Sequence, residues 1–299
     1  MLEILAINWN VDPIMFHIGG FGLRWYSFGF LFAFGVGYWL VSRMYKKEGV
    51  STKYADAFLV YMFLGVLFGA RLGHCLFYEP DYYLTAKHWH EMIIPINGKG
   101  EFTGYMGLAS HGAAIGVLIA LWLFYKIKHI NAWWAIDRMV IAVALGGAFI
   151  RLGNLMNSEI WGYETSLPWG FVFMRDPEAG MVPRHPSQLY ESLCYIVIFV
   201  VSLLVYKKKQ GKLHNGRLFG WWLIALFSVR ILIEFTKARS VDMGDHFYSF
   251  FSMGQWLSVP LILLGATLVV LSHKGVLHEG IYVKGYEHKI IKDKDKKKQ

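Results

Sequence analysis

Residues 132–162 read AWWAIDRMVIAVALGGAFIRLGNLMNSEIWG, and this stretch joins an apolar run to a compact polar cluster. The apolar part, residues 132–150, has about the length that an α-helix needs to cross the hydrocarbon core of a bilayer. The polar part begins with Arg151 and adds two carboxamides and a carboxylate. Polar groups at membrane depth cost roughly 2.5 kcal/mol or more each unless they are paired or hydrated, so their accumulation indicates a functional site.

The composition of the whole chain is typical of a membrane protein. Of its 299 residues, 55% are hydrophobic and only 17% are charged, whereas about a quarter are charged in soluble domains. Seven windows reach the length of a transmembrane helix, namely residues 25–41, 55–78, 106–127, 132–150, 189–206, 218–235 and 251–272. We therefore predict an all-α polytopic membrane protein with seven transmembrane helices.

The uneven distribution of Lys and Arg predicts the orientation, because basic residues in short loops stay on the cytoplasmic side. The links after the first, third and fifth windows are strongly basic, and eight Lys lie between Lys274 and Lys298. We expect the N-terminus outside and the C-terminus in the cytoplasm. Most of the net charge of +9 then belongs to cytoplasmic segments, so it does not indicate nucleic-acid binding.

The link between the fourth and fifth windows, about residues 151–188, is the longest external segment and contains four prolines. Long loops in compact proteins are commonly functional, so we predict a small extracytoplasmic cap here. We expect residues 1–273 to form a single transmembrane catalytic domain that includes this cap, and residues 274–299 to form a basic cytoplasmic tail. Cys75 and Cys194 both fall in predicted spans, which predicts neither a disulfide nor a metal site.

Several windows carry polar side chains in their outer halves. In the second window Arg71, His74 and Tyr78 follow the i, i+3, i+7 spacing of one helix face. Arg71 is either an interfacial side chain that reaches the headgroups or part of a ligand site. His111, near the outer start of the third window, is either a hydrogen-bonded structural residue or a proton acceptor, because histidine titrates near neutral pH.

The sixth window contains Arg230 and Glu234, and Lys237 follows on the same helix face at i, i+4, i+7 spacing. These residues form either a structural ion pair or an Arg that its Glu presents to an anion. Arg71, His111, Arg151 and Arg230 thus come from four windows and are all predicted at the depth of the outer leaflet. A planar guanidinium binds a phosphate diester through two hydrogen bonds, so a phospholipid headgroup is the abundant candidate ligand.

The stretch 151–162 resembles the signature of prolipoprotein diacylglyceryl transferases. Further segments resemble the same family in order along the chain, namely residues 24–26, 69–73, 76–78, 110–112, 183–191, 230–235 and 252–255. The sequence departs from the family at a few positions. Ile150 and Ala113 stand where the family usually has Gly, and Ser110 replaces an aromatic residue. Leu226 occupies the position of a Tyr and Lys237 that of an Arg.

The resemblance implies a multi-pass enzyme of the bacterial inner membrane with its site on the extracytoplasmic side. Its expected substrates are phosphatidylglycerol, among the surrounding membrane lipids, and preprolipoprotein signal peptides that carry a lipobox. The diacylglyceryl group moves to the lipobox cysteine thiol and glycerol 1-phosphate leaves, which is the first step of lipoprotein maturation. The resemblance implies no metal, no nucleotide cofactor and no nucleic-acid partner.

On this basis Arg151 and Arg230 are predicted to hold the lipid phosphate and to stabilise the charge that develops on it. His111 is the predicted base for the substrate thiol, with a phosphate oxygen or hydroxide as alternatives. Glu234 is predicted to orient Arg230. The remaining predicted substrate-binding residues contact the glycerol hydroxyls, the Arg side chains or the lipid entrance: Tyr26, Arg71, Tyr78, Asn154, Asn157, Glu159 and Gly162.

Two other functional classes, a transporter and an intramembrane protease, are alternatives to this interpretation. A transporter of lipids or organic anions would also use clustered Arg residues, but the charged residues gather at one face and no inverted repeat is evident. An intramembrane protease would need a Ser–His or paired-Asp arrangement, which the spans lack. A covalent route through Cys75 is disfavoured, because the acceptor thiol belongs to the substrate peptide.

Overall fold

The computed structural model describes residues 6–19, 21–85, 88–94, 96, 109–209, 212–238 and 252–283. These parts of the chain are mostly helical, and their helices are α1 (Trp25–Lys47), α2 (Thr52–Phe77), α3 (Pro80–Tyr83), α4 (Ser110–Lys128), α5 (Ala132–Met156), α6 (Ser187–Lys209), α7 (Arg217–Glu234) and α8 (Met253–His273). Short strands flank them: β1 (Ile7–Trp9), β2 (Ile14–Ile18), β3 (Phe21–Arg24) and β4 (Phe171–Phe173). β1 pairs in parallel with β4, and β2 with β3 antiparallel.

Among the described residues, six helices are long and apolar enough to cross a membrane, namely α1, α2, α4, α5, α6 and α8. The prediction of an all-α polytopic membrane protein is thereby confirmed. The sixth predicted window is also helical, as α7, but α7 is not one of these six. Its 18 residues include Arg217, Arg230 and Glu234, and charged residues reduce the apolar character that spanning requires.

Helix α5 continues past its predicted end at residue 150 and reaches Met156. Arg151 and Asn154 therefore lie on its last turns and not in the link that follows. The helix persists because backbone hydrogen bonds continue to form although the side chains become polar, as in the 3.0 Å bond from Asn157 N to Gly153 O. The non-helical link from α5 to α6 thus starts several residues later than the predicted window implied.

The chain divides into two compact units, the first formed by Met1–Met44 and Ile136–Glu279. Within it α5, α6 and α7 share an apolar cluster in which Ala144, Ala148 and Tyr195 are buried and Leu226 packs from α7. α7 also packs closely against α8, since a Cβ on Gly220 would lie 2.8 Å from the Gly265 carbonyl oxygen. These contacts hold α5, α6, α7 and α8 together.

The second unit comprises Tyr45–Ala135 and Gly280–Gln299. Its helices α2 and α4 cross at glycines, where a Cβ on Gly116 would lie only 1.9 Å from the Gly65 carbonyl oxygen. Small residues at this crossing allow the backbones to touch. The start of the predicted tail is not detached, because Asn131 N donates to Ile281 O at 2.8 Å. Residues 284–299, which include most of the tail's lysines, lie outside the described residues.

Candidate functional site

The polar cluster of the opening stretch is built on the last turns of α5 and the bend after them. Arg151 Nη1 donates to Asn154 Oδ1 at 3.2 Å. The chain then leaves the helix through Ser158 and Ile160, whose φ angles are 57° and 64°. A β-branched residue such as Ile160 disfavours this left-handed region, so tertiary contacts must hold the bend. Asn157 Nδ2 donates to Glu159 Oε1 at 2.6 Å on its exposed side.

Glu191, in the first turns of α6, is the buried carboxylate of the site. Its side chain is 0% exposed and forms an ion pair with Arg151 through Nε of the guanidinium. Its other oxygen lies 2.7 Å from Lys237 Nζ. One carboxylate therefore joins two cations that are distant in sequence. The sequence analysis did not single out Glu191. A signal was present, because Glu191 is the only charged residue of α6 before its three terminal lysines, and an isolated charge in an apolar helix indicates a function.

Glu234, the last residue of α7, contacts two side chains at this place. Its carboxylate lies 3.3 Å from Lys237 Nζ and accepts a 2.9 Å hydrogen bond from Ser252 Oγ. Ser252 is the N-cap of α8 and forms a capping box with Gln255. In this structure Ser252 and Lys237 engage the Glu234 carboxylate, and the predicted role of Glu234 in orienting Arg230 stays a prediction.

Arg230 is half-buried on the last turns of α7. Its Nε is buried without a hydrogen-bond partner, and no carboxylate of the described residues forms an ion pair with it. Arg151, Lys237, Glu191 and Glu234 are linked by ion pairs, and Arg230 stays outside this set. A guanidinium that no carboxylate contacts is a candidate group for binding an anion.

Tyr26, in the first turn of α1, lies beside this group, and its predicted contact with substrate stays a prediction. Gly153 lets the Tyr26 ring pack on α5, because a Cβ on this residue would lie only 2.6 Å from Tyr26 Cδ2. The Tyr26 hydroxyl has Asn154 as a side-chain hydrogen-bond partner, and Arg151 and Glu159 are the charges that act on it. The phenol therefore contacts the same residues that surround Arg151.

Gly162 allows the backbone segments around it to pack closely together. Its N–H donates to His185 O at 2.8 Å, and a Cβ here would lie 2.3 Å from Thr236 O and 2.6 Å from Ser187 Oγ. Any side chain would separate the cap from the segment that carries Lys237. The structure thus gives Gly162 a packing function, whereas its predicted contact with substrate stays a prediction.

The second unit carries the other predicted residues. Arg71 is only 3% exposed, so it is not an interfacial side chain that reaches the headgroups. Its Nη2 donates to Tyr83 OH at 3.2 Å and to Glu91 O at 3.0 Å, which fastens the segment after α2. Tyr78 is 63% exposed and stacks on His74. His111 lies exposed in the first turn of α4. The predicted convergence of Arg71 and His111 with Arg151 and Arg230 stays a prediction.

The comparison with known proteins shows the family of this chain. The family model for prolipoprotein diacylglyceryl transferase matches residues 13–271. The chain belongs to the prolipoprotein diacylglyceryl transferase family. It is 43% identical over 268 residues to the phosphatidylglycerol–prolipoprotein diacylglyceryl transferase of Bacteroides fragilis, covering 88% of this chain and 94% of that protein. The enzyme of the same name from Tolumonas auensis is 44% identical over 269 residues, covering 89% and 97%. That from Porphyromonas gingivalis is 37% identical over 289 residues, covering 90% and 95%.

Membership of the diacylglyceryl transferase family confirms the resemblance inferred from the motifs and makes the protein a transferase. In this family member the described structure brings together Tyr26, Arg151 and Asn154 from the predicted set. It adds Glu191 and Lys237, which link the end of α5 to the segment after α7. The chemistry available at this place is the binding of an anion by guanidinium groups, of which that of Arg151 is held in position by the buried Glu191 carboxylate.

Proposed function

We propose that this enzyme transfers the diacylglyceryl group of phosphatidylglycerol to the lipobox cysteine thiol of preprolipoproteins and releases glycerol 1-phosphate. This reaction is the first step of bacterial lipoprotein maturation. The names of its relatives support both substrates, since each is a phosphatidylglycerol–prolipoprotein diacylglyceryl transferase. Family membership over residues 13–271 supports the reaction type.

The proposed location is the bacterial inner membrane, with α7 as a seventh span and the site facing outward. The N-terminus then lies outside and the C-terminus in the cytoplasm. Basic last turns support this orientation, because α1, α4 and α6 all end in Lys and Lys-rich ends stay cytoplasmic. We further propose one catalytic domain over residues 1–273, including the cap at about 151–188, and a cytoplasmic tail over residues 274–299.

The guanidinium of Arg230 is the observation that carries the proposal. Arg151, Lys237, Glu191 and Glu234 are linked by ion pairs of 3.3 Å or less, whereas no carboxylate of the described residues pairs with Arg230 and its buried Nε has no hydrogen-bond partner. This guanidinium can therefore bind the phosphodiester of phosphatidylglycerol through two hydrogen bonds.

Arg151 is held in a defined orientation for this ligand. Glu191 contacts Nε and Asn154 accepts from Nη1, so two of the five N–H groups of the guanidinium fix its plane. The remaining donors are then available to a phosphate oxygen. A bidentate contact from a planar guanidinium is stronger and more directional than a contact from an ammonium group.

The reaction step follows from this arrangement. The thiolate sulfur attacks the glycerol carbon that bears the phosphate ester, the S–C bond forms and the C–O bond breaks. The electron pair stays on the phosphate oxygen, so the phosphate gains a second negative charge as glycerol 1-phosphate leaves. Arg151 and Arg230 stabilise that developing charge more strongly than the charge of the intact diester. Such a difference between transition state and ground state is what accelerates a reaction.

The substrate thiol must lose its proton before or during the attack, because the thiolate is the reactive form. We propose His111 as the acceptor, with a phosphate oxygen or hydroxide as alternatives. Among the residues that the structure describes, His111 makes no hydrogen bond, which keeps both ring nitrogens available. Retention of full transfer by His111→Asn across the neutral pH range would assign this role to another group.

A reconstituted assay tests the function and the role of Arg230 together. The enzyme in phosphatidylglycerol vesicles receives a lipobox peptide, and mass spectrometry measures the addition of one diacylglyceryl group to the cysteine. We expect transfer by the wild type in phosphatidylglycerol vesicles and none in phosphatidylcholine vesicles. Arg230→Lys keeps the charge but loses the paired N–H donors of the guanidinium. We therefore expect the transfer rate to fall at least about a hundredfold, as for removal of one preorganised donor.

Arg175→Lys is the matched control, because Arg175 is 41% exposed and pairs with Asp12 at 3.1 Å on the cap surface. This variant should transfer at the wild-type rate. Absence of wild-type transfer in phosphatidylglycerol would contradict the proposed function. Equal activity of Arg230→Lys and wild type would instead contradict the bidentate role of Arg230 and leave the activity intact.

A further inference from the structure

The bend that follows α5 has an unfavourable backbone conformation. Ser158 and Ile160 both have φ angles in the left-handed region, 57° and 64°, which residues other than glycine rarely adopt. Ile160 opposes this conformation the more strongly of the two, because its Cβ is branched. Contacts from elsewhere in the fold must therefore keep the bend in place.

Glu159, the residue between these two, is fastened through its backbone. Its N–H donates to Asn154 O at 3.1 Å, a local bond that closes the last turn of α5. Its carbonyl oxygen accepts a 2.5 Å hydrogen bond from Gln188 Nε2, which comes from 29 positions further along the chain. Gln188 lies in the first turn of α6, so this second bond ties the bend to a neighbouring helix.

The burial of Gln188 is not explained by packing alone. The residue is 0% exposed, and its Oε1 has no hydrogen-bond partner among the described residues. Burying an amide with only part of its hydrogen bonds formed costs free energy, which an apolar side chain of the same length would avoid. The Nε2 donor is therefore the property that distinguishes glutamine from an apolar residue at this position.

The same face of α6 contacts the end of α5 twice. Gln188 and Glu191 are three positions apart and therefore lie on one helix face. Glu191 forms the ion pair with Arg151, whereas Gln188 holds the backbone that follows. Asn154 connects the two contacts, because its side chain accepts from Arg151 Nη1 at 3.2 Å and its carbonyl oxygen accepts from Glu159 N. The position of the guanidinium therefore depends on the bend as well as on the carboxylate.

We propose that Gln188 is a positioning residue for the transfer reaction, whose amide holds the bend and thereby the last turn of α5, on which Asn154 orients Arg151. This inference rests on the proposed function. Without the Nε2 donor, the bend relaxes toward ordinary backbone angles, the Glu159 N–H leaves the Asn154 carbonyl oxygen and the last turn of α5 frays. The guanidinium of Arg151 then loses its alignment with the breaking C–O bond, which lowers the rate of the chemical step.

The test is Gln188→Met in the vesicle assay, with phosphatidylglycerol varied to separate kcat from KM. Methionine keeps the length of the side chain but cannot donate a hydrogen bond. We expect kcat to fall about tenfold with KM little changed. Hydrogen exchange of residues 153–160, measured by mass spectrometry, should be faster than in the wild type, because the amides of Asn157 and Glu159 are released from their acceptors on α5.

Ser192→Ala is the matched control. Ser192 is buried, and its Oγ donates to Ala148 O at 3.1 Å, so this variant also removes one bond from a side chain of α6 to a backbone carbonyl of α5, but not at the bend. We expect both variants to lower the unfolding temperature in detergent by a similar amount, about 3 °C. Ser192→Ala should nevertheless keep the wild-type kcat and the wild-type exchange of residues 153–160.

A double variant separates positioning from a general loss of stability. Ile160→Gly removes the side chain that opposes the left-handed conformation, since glycine adopts positive φ about as readily as negative φ. Combined with Gln188→Met, it should raise kcat severalfold toward the wild-type value, although it adds no contact.

Four results would each overturn the inference: a wild-type kcat in Gln188→Met, a loss confined to KM, an equal loss of kcat in Ser192→Ala, or a double variant no more active than Gln188→Met. Absence of transfer by the wild type would contradict the proposed function instead.

Discussion

Replacing Glu191 by Gln removes the one carboxylate that joins two cations of the site. The side chain is 0% exposed, pairs with Arg151 and lies 2.7 Å from Lys237 Nζ. The amide has nearly the same shape, so the packing of α6 is kept while the charge is lost. Removing one partner of a buried ion pair costs about 3–5 kcal/mol, because the other charge stays buried without compensation.

The expected consequences of Glu191→Gln follow from these contacts. A loss of 1 kcal/mol corresponds to about 2–4 °C for a chain of this size, so we expect the unfolding temperature in detergent to fall by about 6 °C or more. Transfer should fall at least about a hundredfold, as for a misplacement of about 1 Å at a reacting group. Glu191→Asp, which keeps the charge, should lie between Glu191→Gln and the wild type in both measurements.

The same variant has an opposite effect on lipid binding. Without Glu191 the site loses one negative charge beside Arg151 and Lys237, so its attraction for an anionic headgroup increases. We therefore expect KM for phosphatidylglycerol to stay constant or fall while kcat collapses. Glu159→Gln is the control, since Glu159 is exposed and should change the unfolding temperature little. An unchanged unfolding temperature together with an unchanged kcat in Glu191→Gln would refute the role assigned to this carboxylate.

Two further predictions concern the second unit. Gly116→Ala should separate α2 from α4 and lower the unfolding temperature, because the added Cβ would lie 1.9 Å from the Gly65 carbonyl oxygen. Gly35→Ala is the control and should leave the unfolding temperature unchanged, because no atom lies within 4 Å of its Cβ. Equal effects of the two variants would contradict the close crossing. The hydrogen bond from His88 lowers the pKa of the Glu91 carboxyl below its ordinary value of 4.5, so its stabilising effect is present above that pH and is lost as the pH falls below it. Trp89 fluorescence should report this acid transition, and its persistence in Glu91→Gln would exclude Glu91 as the cause.

The helices were predictable because a bilayer imposes a length and an apolar composition on each span. The ends of the helices were less predictable. A hydropathy reading stops α5 at its first charged residue, Arg151, whereas the backbone hydrogen bonds continue to Met156. The same limit explains α7, which is helical although Arg230 and Glu234 interrupt its apolar face. Backbone hydrogen bonding does not depend on the polarity of the side chain. Sequence windows chosen for their apolar composition therefore misplace the ends of helices.

The partners of the charged residues were harder to predict than the residues themselves. The i, i+4 spacing of Arg230 and Glu234 permits an ion pair on one helix, but it does not exclude a better partner from elsewhere. Ser252 of the α8 N-cap and Lys237 supply such partners for Glu234. Glu191 was missed for the related reason that its partners, Arg151 and Lys237, are distant along the chain. Spacing identifies helix faces, whereas tertiary packing decides which charges meet.

The two carboxylates explain why a site for an anion contains acidic residues at all. Three cations without them would attract phosphatidylglycerol more strongly, but they would also repel one another and hold the diester and the departing phosphate with little discrimination. Glu191 and Glu234 pair with two of the three cations and restrict the positions of Arg151 and Lys237. In the proposed reaction, Arg230 is left to bind the phosphodiester. Because Glu191 and Asn154 already orient the guanidinium of Arg151, this side chain stabilises the second negative charge as it forms, with little reorganisation.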